Sequence, residues 1–308
     1  MIRIGTDCSG IEAPIQALRQ LKIPFKHVFS SEIDKYCIQS IKANYNPEII
    51  FGDKEGTYPE GDITKRNIKD VPDIDLYVCG FPCQPFSMAG NRKGFDDERG
   101  NVFFSCLEVI KTKKPNFFIL ENVKAIQHHD NKKTFKRILD ELNMLKEYNI
   151  NWKVLNTKDY GIPQNRERMF IVGIKNNNKK YEWPKFINCK KIQSYIDKYD
   201  TSHRNLPDCV LKYKTLDNIP KNSVFIDLGF YKHTYPNSHL YCPSITANNS
   251  LWCVPKSRYS TIKEQFSLQG YPTSFKQVIS NTQMKKQIGN SISVNVMKQL
   301  IKTLTIEK

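Results

Sequence analysis

"IRIGTDCSGIEAPIQALRQL", residues 2–21, decides the fold: "IRIGT" (2–6) is a short apolar run suited to a buried strand, and "EAPIQALRQL" (12–21) spaces its apolar residues as a helix does. The pair then repeats, with a strand over "FKHVFSSE" (25–32) and a helix over "KYCIQSIKANY" (35–45). Further on come a strand "IDLYVCG" (74–80), a helix "NVFFSCLEVIKTK" (101–113), a strand "NFFILENV" (116–123), a helix "KTFKRILDELNML" (133–145) and a strand "ERMFIVGIK" (167–175). Strands separated by helices of this length predict an α/β fold, with a mostly parallel sheet covered by helices on both faces.

Beyond Lys175 the character changes. Residues 1–175 read as one domain, and 176–257, rich in Tyr, Asn, Lys and Pro, read as a smaller module with short candidate strands in "NSVFIDLGF" and "LWCVP". Residues 258–308 form a C-terminal segment in which "QMKKQIGNSISVNVMKQLIKTL" (283–304) regains helical spacing and is expected to pack back onto the first domain. The run "KNNNKK" (175–180) reads as a linker.

The chain of 308 residues carries 47 Lys and Arg against 31 Asp and Glu, a net charge of +16, which favours a polyanionic partner and nucleic acid first among them. Its longest apolar runs, such as "FFIL" (117–120), are far too short to span a bilayer, and "MIRIGTDCSG" lacks the pattern of a secretory signal. Nine cysteines without CxxC pairs do not make a disulfide framework, which suits a reducing compartment.

On a doubly wound sheet, ligands gather at the carboxyl ends of the strands. Gly10 lies in the first such turn, and Glu32 closes the second strand twenty-two residues later, the distance at which an acidic side chain receives ribose hydroxyls in dinucleotide-binding folds. Asp62 in "GDIT" is a third candidate, beside the plainer reading of a turn aspartate. In "CGFPCQPFSMAG" (79–90), Cys83 is braced by two prolines just past a strand, so the turn holds the sulfur in one direction. A buried packing cysteine gains nothing from such a loop, whereas a nucleophile does. Glu121, followed by Asn122, ends the next strand and offers a carboxyl to a heterocycle. Arg166 and Arg168 in "QNRERMF" are two apart, a spacing that aims both to one face of a strand, or else makes a solvated basic edge. His128 and His129 read as a solvated loop pair rather than metal ligands, since no further ligand stands at a suitable spacing. Cys79 reads as a core side chain of its strand.

These stretches, with "ENV" (121–123), "QNRERMFIVG" (164–173), "LQGYP" (268–272) and "GNSISVNV" (289–296), resemble the blocks of the DNA cytosine-C5 methyltransferases, in that family's order, over residues 2–175 and 258–304. The resemblance implies a Rossmann-like class I methyltransferase sheet with a smaller target-recognition domain, S-adenosylmethionine as cofactor, S-adenosylhomocysteine as product and no metal. It matches Cys83 to the nucleophile that adds to C6 of cytosine, Glu121 to the residue at N3, and Arg166 and Arg168 to the arginines near O2 and the adduct. For the cofactor it implies Cys8, Ser9, Gly10, Ile11, Glu32, Ile33, Asp62, Ile63, Pro82, Asn290 and Ser291. For DNA it implies a closing loop with Gln84, Ser87, Arg92, Lys93 and Arg99, and contacts from Ser244 and Ile245 in "SIT", where the family usually has Thr-Leu. Departures stand in the first block, where Cys8 replaces the family's aromatic and Glu12 and Ala13 replace its later glycines, and later at Ser267 and Ser293.

The reading is a monomeric DNA (cytosine-5)-methyltransferase acting on a flipped base in double-stranded DNA, inside a bacterial cytoplasm or, for a viral enzyme, wherever the host DNA lies. A restriction endonuclease would be its genetic rather than physical partner, and no membrane is involved. Two rivals share the motifs: a tRNA-modifying branch of the family, and an inactive nucleic-acid-binding homologue, against which intact Cys83, Glu121 and Arg168 speak. A thiol redox enzyme explains neither Glu121 nor the C-terminal block.

Overall fold

A computed structural model describes residues 1–82, 101–175, 181–207, 219–220, 222–230 and 238–305. They group into two compact units: the first comprises 1–155, 167–184 and 297–308, the second 156–166 and 185–296.

The first unit is built on a seven-stranded sheet of β1 (Ile2–Asp7), β2 (Phe25–Ser31), β3 (Ile49–Phe51), β4 (Leu76–Gly80), β5 (Phe117–Val123), β6 (Tyr148–Asn156) and β8 (Glu167–Lys175), in the order β3-β2-β1-β4-β5-β8-β6. The β1–β2, β2–β3, β1–β4 and β4–β5 pairs are parallel, and β8 runs antiparallel to β5. Helices α1 (Ala13–Leu21), α2 (Lys35–Asn44), α3 (Asn101–Lys113) and α4 (Lys133–Asn143) follow β1, β2, β4 and β5, as the alternation in the sequence predicts.

The central strands are buried on both faces because helices cover both. Tyr77 and Cys79 of β4 and Phe118 and Leu120 of β5 share a core with Phe103, Cys106 and Ile110 of α3 and Ile138 and Leu142 of α4. Leu76, Val78 and Ile119, pointing to the other face, are equally buried. Two glycines make this packing fit: a Cβ on Gly5 would overlap the Phe29 ring, and one on Gly173 the Phe118 ring.

The second unit has a three-stranded sheet, β12-β11-β9, of β9 (Phe225–Asp227), β11 (Leu251–Cys253) and β12 (Arg258–Tyr259), antiparallel throughout. Leu206, Ile226, Leu228 and Trp252 form its small core, and Trp252 meets Tyr259 edge-on with centroids 5.2 Å apart. A second, two-stranded parallel pair joins β10 (Cys242–Pro243) to β7 (Gln164–Asn165). Helices α5 (Ile262–Gln269) and α6 (Asn281–Asn290) complete it, and a last helix, α7 (Val294–Thr305), carries the chain onward.

These limits differ from a division at 175 and 257, and the reason is local bonding. Gln164 donates to Leu268 O at 2.7 Å and accepts from Ile245 N at 3.1 Å, which ties residues 156–166 to distant segments of the second unit. Residues 258–296 group with that unit, while the tail from Met297 belongs with the sheet. His129 corrects another expectation: far from solvated, it is buried, with Nδ1 2.6 Å from Thr134 Oγ1. The linker run at 176–180 lies outside the described residues.

Candidate functional site at the carboxyl edge of the sheet

The turn after β1 folds tightly because Ser9 bonds across to β2. Ser9 N donates to Ser31 O at 3.1 Å, and Ser31 N donates to Ser9 Oγ at 2.9 Å. Gly10 follows at φ +55, where a side chain would be strained, and open space surrounds the place its Cβ would take. Its N–H donates to Glu32 Oε2 at 2.8 Å, while Glu32 Oε1 accepts from the N–H groups of Ile33 and Asp34 at 2.8 and 3.0 Å. Burial nonetheless outweighs these bonds and raises the Glu32 carboxyl above its ordinary value.

The other residues matched to the cofactor fall into two sets. Cys8 is half-buried, Ile11 and Ile63 are buried, and Ile33 is 75% exposed. Asp62 makes a turn: its Oδ1 accepts from Thr64 N at 3.0 Å and Thr64 Oγ1 at 2.7 Å. Burial pushes its carboxyl up, but these bonds and Lys65 outweigh it and hold the group below the usual range. Pro82 is half-buried at the end of the segment leading out of β4. Asn290 and Ser291 belong to the second unit, where Asn290 is exposed and the buried Ser291 pairs its hydroxyl with Tyr271 Oη at 2.6 Å.

Strand register sets the acid. Gly80 of β4 stands opposite Glu121 of β5, and Arg168 of β8 opposite Val123, so Glu121 and Arg168 meet at one sheet edge. Arg168 Nε lies 3.3 Å from Glu121 Oε1, and both side chains are mostly buried. Asn122 Nδ2 donates to Phe81 O at 3.1 Å, which pins the backbone two residues before Cys83. Cys83 itself, with Gln84, Ser87, Arg92, Lys93 and Arg99, lies outside the described residues.

Arg166 takes a different place from the one its spacing suggests. Strand β8 begins at Glu167, so the alternation that serves Arg168 does not reach back to it. Arg166 is 1% exposed in the second unit, and its guanidinium donates to Ile245 O at 2.6 Å, Gly289 O at 3.0 Å and Ser291 O at 2.7 Å. Ile245 contributes to this cage through its backbone, and its side chain is 0% exposed; Ser244 Oγ stands at the cage's margin, 3.5 Å from Arg166 Nη1.

Some residues of the edge escaped sequence reasoning. Asp7, at the end of β1, is held by both terminal nitrogens of Arg66, at 2.7 and 2.9 Å, and by Tyr77 Oη at 2.6 Å. Nothing in a linear pattern marks a pair 59 residues apart. Seven described cysteines are free thiols, and among the described residues no cluster of His, Cys, Asp and Glu could hold a metal. No helix among them is long and apolar enough to cross a membrane. A polar cavity of about 490 Å³ lies within the second unit, lined by Asp200, Arg204, Arg258 and Lys285 among others.

A family model described as C-5 cytosine-specific DNA methylase matches residues 7–305. The Type II methyltransferase M.HaeII of Haemophilus aegyptius is 40% identical over 89% of this chain and 84% of its own. The Type II methyltransferase M1.ScrFI of Lactococcus lactis subsp. cremoris is 38% identical over 87% of this chain and 69% of its own. In fold, the chain is similar to the S. pombe Dnmt2 methyltransferase, with TM-score 0.71 at 22% identity over 100% of this chain and 99% of that one. It is also similar to the Entamoeba histolytica methyltransferase EhMeth, with TM-score 0.70 at 20% identity over 100% and 98%. The mostly parallel sheet expected from the alternation, and the Rossmann-like methyltransferase fold that the resemblance implies, are the ones found.

Proposed function

The chain belongs to the C-5 cytosine-specific DNA methylase family, and from that premise we propose that it transfers a methyl group from S-adenosylmethionine to C5 of a cytosine flipped out of a short, specific sequence in duplex DNA. The observation that carries the reading is the Glu121–Arg168 pair at the sheet edge, beside the strand that leads into Cys83.

The residues of the first turn fit the cofactor. Gly10 leaves open space where any other residue would put a Cβ, and the carboxylate of Glu32 keeps acceptor capacity at Oε2 for the donor hydroxyls of a ribose. Gly10, Glu32 and Asp62 would hold the adenosine portion, with Pro82 toward the methyl. When bound, S-adenosylmethionine supplies the methyl as an electrophile on a positively charged sulfur.

The chain's own groups then do the following. The thiolate of Cys83 adds to C6 of the cytosine, and the ring's electron pair moves toward N3, where Glu121 supplies and holds a proton. Arg168 fixes the Glu121 carboxyl in place and balances its charge. C5 is thereby made nucleophilic; once it carries the methyl, N3 returns its proton to Glu121, a water molecule takes the C5 proton, and the C6–S electron pair leaves with the thiolate as the aromatic ring is restored. A stacked base is beyond a thiol's reach, so the base must leave the duplex, at a cost of a few kcal/mol that contacts from the protein offset. The closing loop that begins at Gln84 would exclude bulk water.

In this proposal the second unit reads the target bases. The relatives' Type II names favour duplex DNA over tRNA and suggest a restriction-modification setting, with an endonuclease as genetic partner. The test is transfer of labelled methyl to mixed-sequence duplex DNA and, in parallel, to total tRNA, with base-resolved mapping of 5-methylcytosine. Label at one recurring DNA sequence is expected, and label confined to tRNA would overturn the substrate. Cys83→Ser is expected to abolish transfer while S-adenosylmethionine still binds; full methylation by that variant would refute the mechanism.

A further inference from the structure

Glu12 stands where the backbone and the environment both disfavour it. It is 0% exposed and sits at φ 59, ψ 52 immediately before α1. A left-handed conformation costs a residue other than glycine roughly 1–2 kcal/mol. Burying a carboxylate costs more unless it is well bonded. Glycine would avoid both costs.

What the side chain gains is a set of polar partners from two strands. Glu12 Oε1 accepts from Thr6 Oγ1 of β1 at 2.7 Å and from Ser30 Oγ of β2 at 2.6 Å, and His27 Nε2 of β2 lies 3.5 Å away. Glu12 N also donates to Ser9 O at 2.9 Å within the turn. A serine hydroxyl has one proton. With that proton given to Glu12, Ser30 Oγ accepts from His27 Nε2 at 3.0 Å, so Nε2 carries a hydrogen. Each of these groups is buried.

The network ends on the residues assigned to the cofactor. Thr6 Oγ1 is 2.7 Å from Ser9 Oγ, and Ser9 leads to Gly10. Ser30 and Ser31 lead to Glu32, which Gly10 N joins at 2.8 Å. Glu12 thus fixes the end of β1, the turn and the end of β2 against one another from beneath, without itself reaching the open side. We propose that Glu12, with His27, is a positioning residue that holds Gly10 and Glu32 in register for the cofactor's ribose; the proposal rests on the cofactor reading above.

The test compares Glu12→Gly with Glu12→Gln. Glycine suits the left-handed backbone, so the Glu12→Gly variant is expected to fold while losing the acceptor. Its affinity for S-adenosylhomocysteine by calorimetry is expected to fall about tenfold, as loss of a supporting partner behind a binding residue typically does. The KM for S-adenosylmethionine should rise by a similar factor, with kcat within about twofold. Glu12→Gln keeps an acceptor oxygen and should recover most of the affinity. Wild-type affinity in Glu12→Gly overturns the proposal, as does a loss in kcat alone. Should the unaltered protein fail to bind S-adenosylhomocysteine, the cofactor reading fails instead, and hydrogen exchange still decides the network. Faster exchange at the Gly10 and Ser31 amides in Glu12→Gly supports it, and unchanged exchange overturns it.

Discussion

The two units are held by different physics. In the first, alternate residues of β4 and β5 fill the two faces of a sheet, and apart from the buried ion pair of Arg66 with Asp7, stability is spread over many small apolar contacts. In the second, two buried guanidinium groups gather the chain: Arg166 takes three carbonyl oxygens, and Arg258, also 1% exposed, takes both oxygens of Glu264 at 2.9 and 2.8 Å. Glu264 in turn closes a capping box with Thr261 and accepts from Asp197 N at 2.8 Å. A spread core should yield by degrees to single substitutions, and a hub should not.

Glu264→Ala should break the comparison open most widely. Removing Glu264 leaves the buried Arg258 guanidinium with only the partly exposed carboxylate of Asp200, 3.3 Å from its Nε, to balance it, a loss of about 3 kcal/mol. It is expected to abolish amide protection in β9, β11, β12, α5 and α6 while the strands of the first unit stay protected; uniform loss across both would show that the units do not differ in this way.

Glycine substitutions sharpen the contrast at smaller scale. A Cβ on Gly173 would overlap the Phe118 ring, which can shift within an apolar core, so Gly173→Ala should cost about 1–3 kcal/mol. A Cβ on Gly289 would overlap the backbone of Thr246, beside the carbonyl cage of Arg166, where nothing can rotate away. The midpoint of chemical denaturation should therefore fall further for Gly289→Ala than for Gly173→Ala, and the reverse order would remove the distinction.

The same difference explains what was legible. The helices and central strands of the first unit could be read because burial repeats along the chain, Tyr77 and Cys79 facing one way and Leu76 and Val78 the other, whereas the three-residue edge strand β3 is too short to carry a pattern. Strand β6 could not be read either, since it lies at the sheet edge, its middle residues are partly exposed, and "YNINWKVLN" carries no buried stripe. Gly10, Glu32, Glu121 and Arg168 stood out because turns and strand ends fix their place in sequence. Arg166 had the right type and spacing, but its partners lie 79, 123 and 125 residues away, and no local pattern announces a carbonyl cage. Glu12 was visible only as a departure from glycine; that its carboxylate binds Thr6 and Ser30 depends on β2 lying beside β1.

The smallest effect concerns buried thiols. In the second unit, burial first and Glu264 next push the Cys253 thiol up from 9.0 to about 11, and in the first unit burial holds Cys79 well above its ordinary value. An acid whose folded value is raised stays protonated in the fold while the unfolded chain ionises. Its contribution is therefore fully present below 9.0 and is lost as pH rises to about 11. With solvent screening allowed for, Cys253 accounts for roughly 1 kcal/mol of that decline. Denaturation midpoints of the unaltered protein and Cys253→Ala should keep a constant separation up to neutral pH and converge across the alkaline window by that amount, whereas a separation independent of pH would mean that Cys253 ionises alike in the folded and unfolded chain. The corresponding convergence for Cys79→Ala should be larger, because that thiol is enclosed by the sheet core and sits 3.3 Å from the Cys106 sulfur.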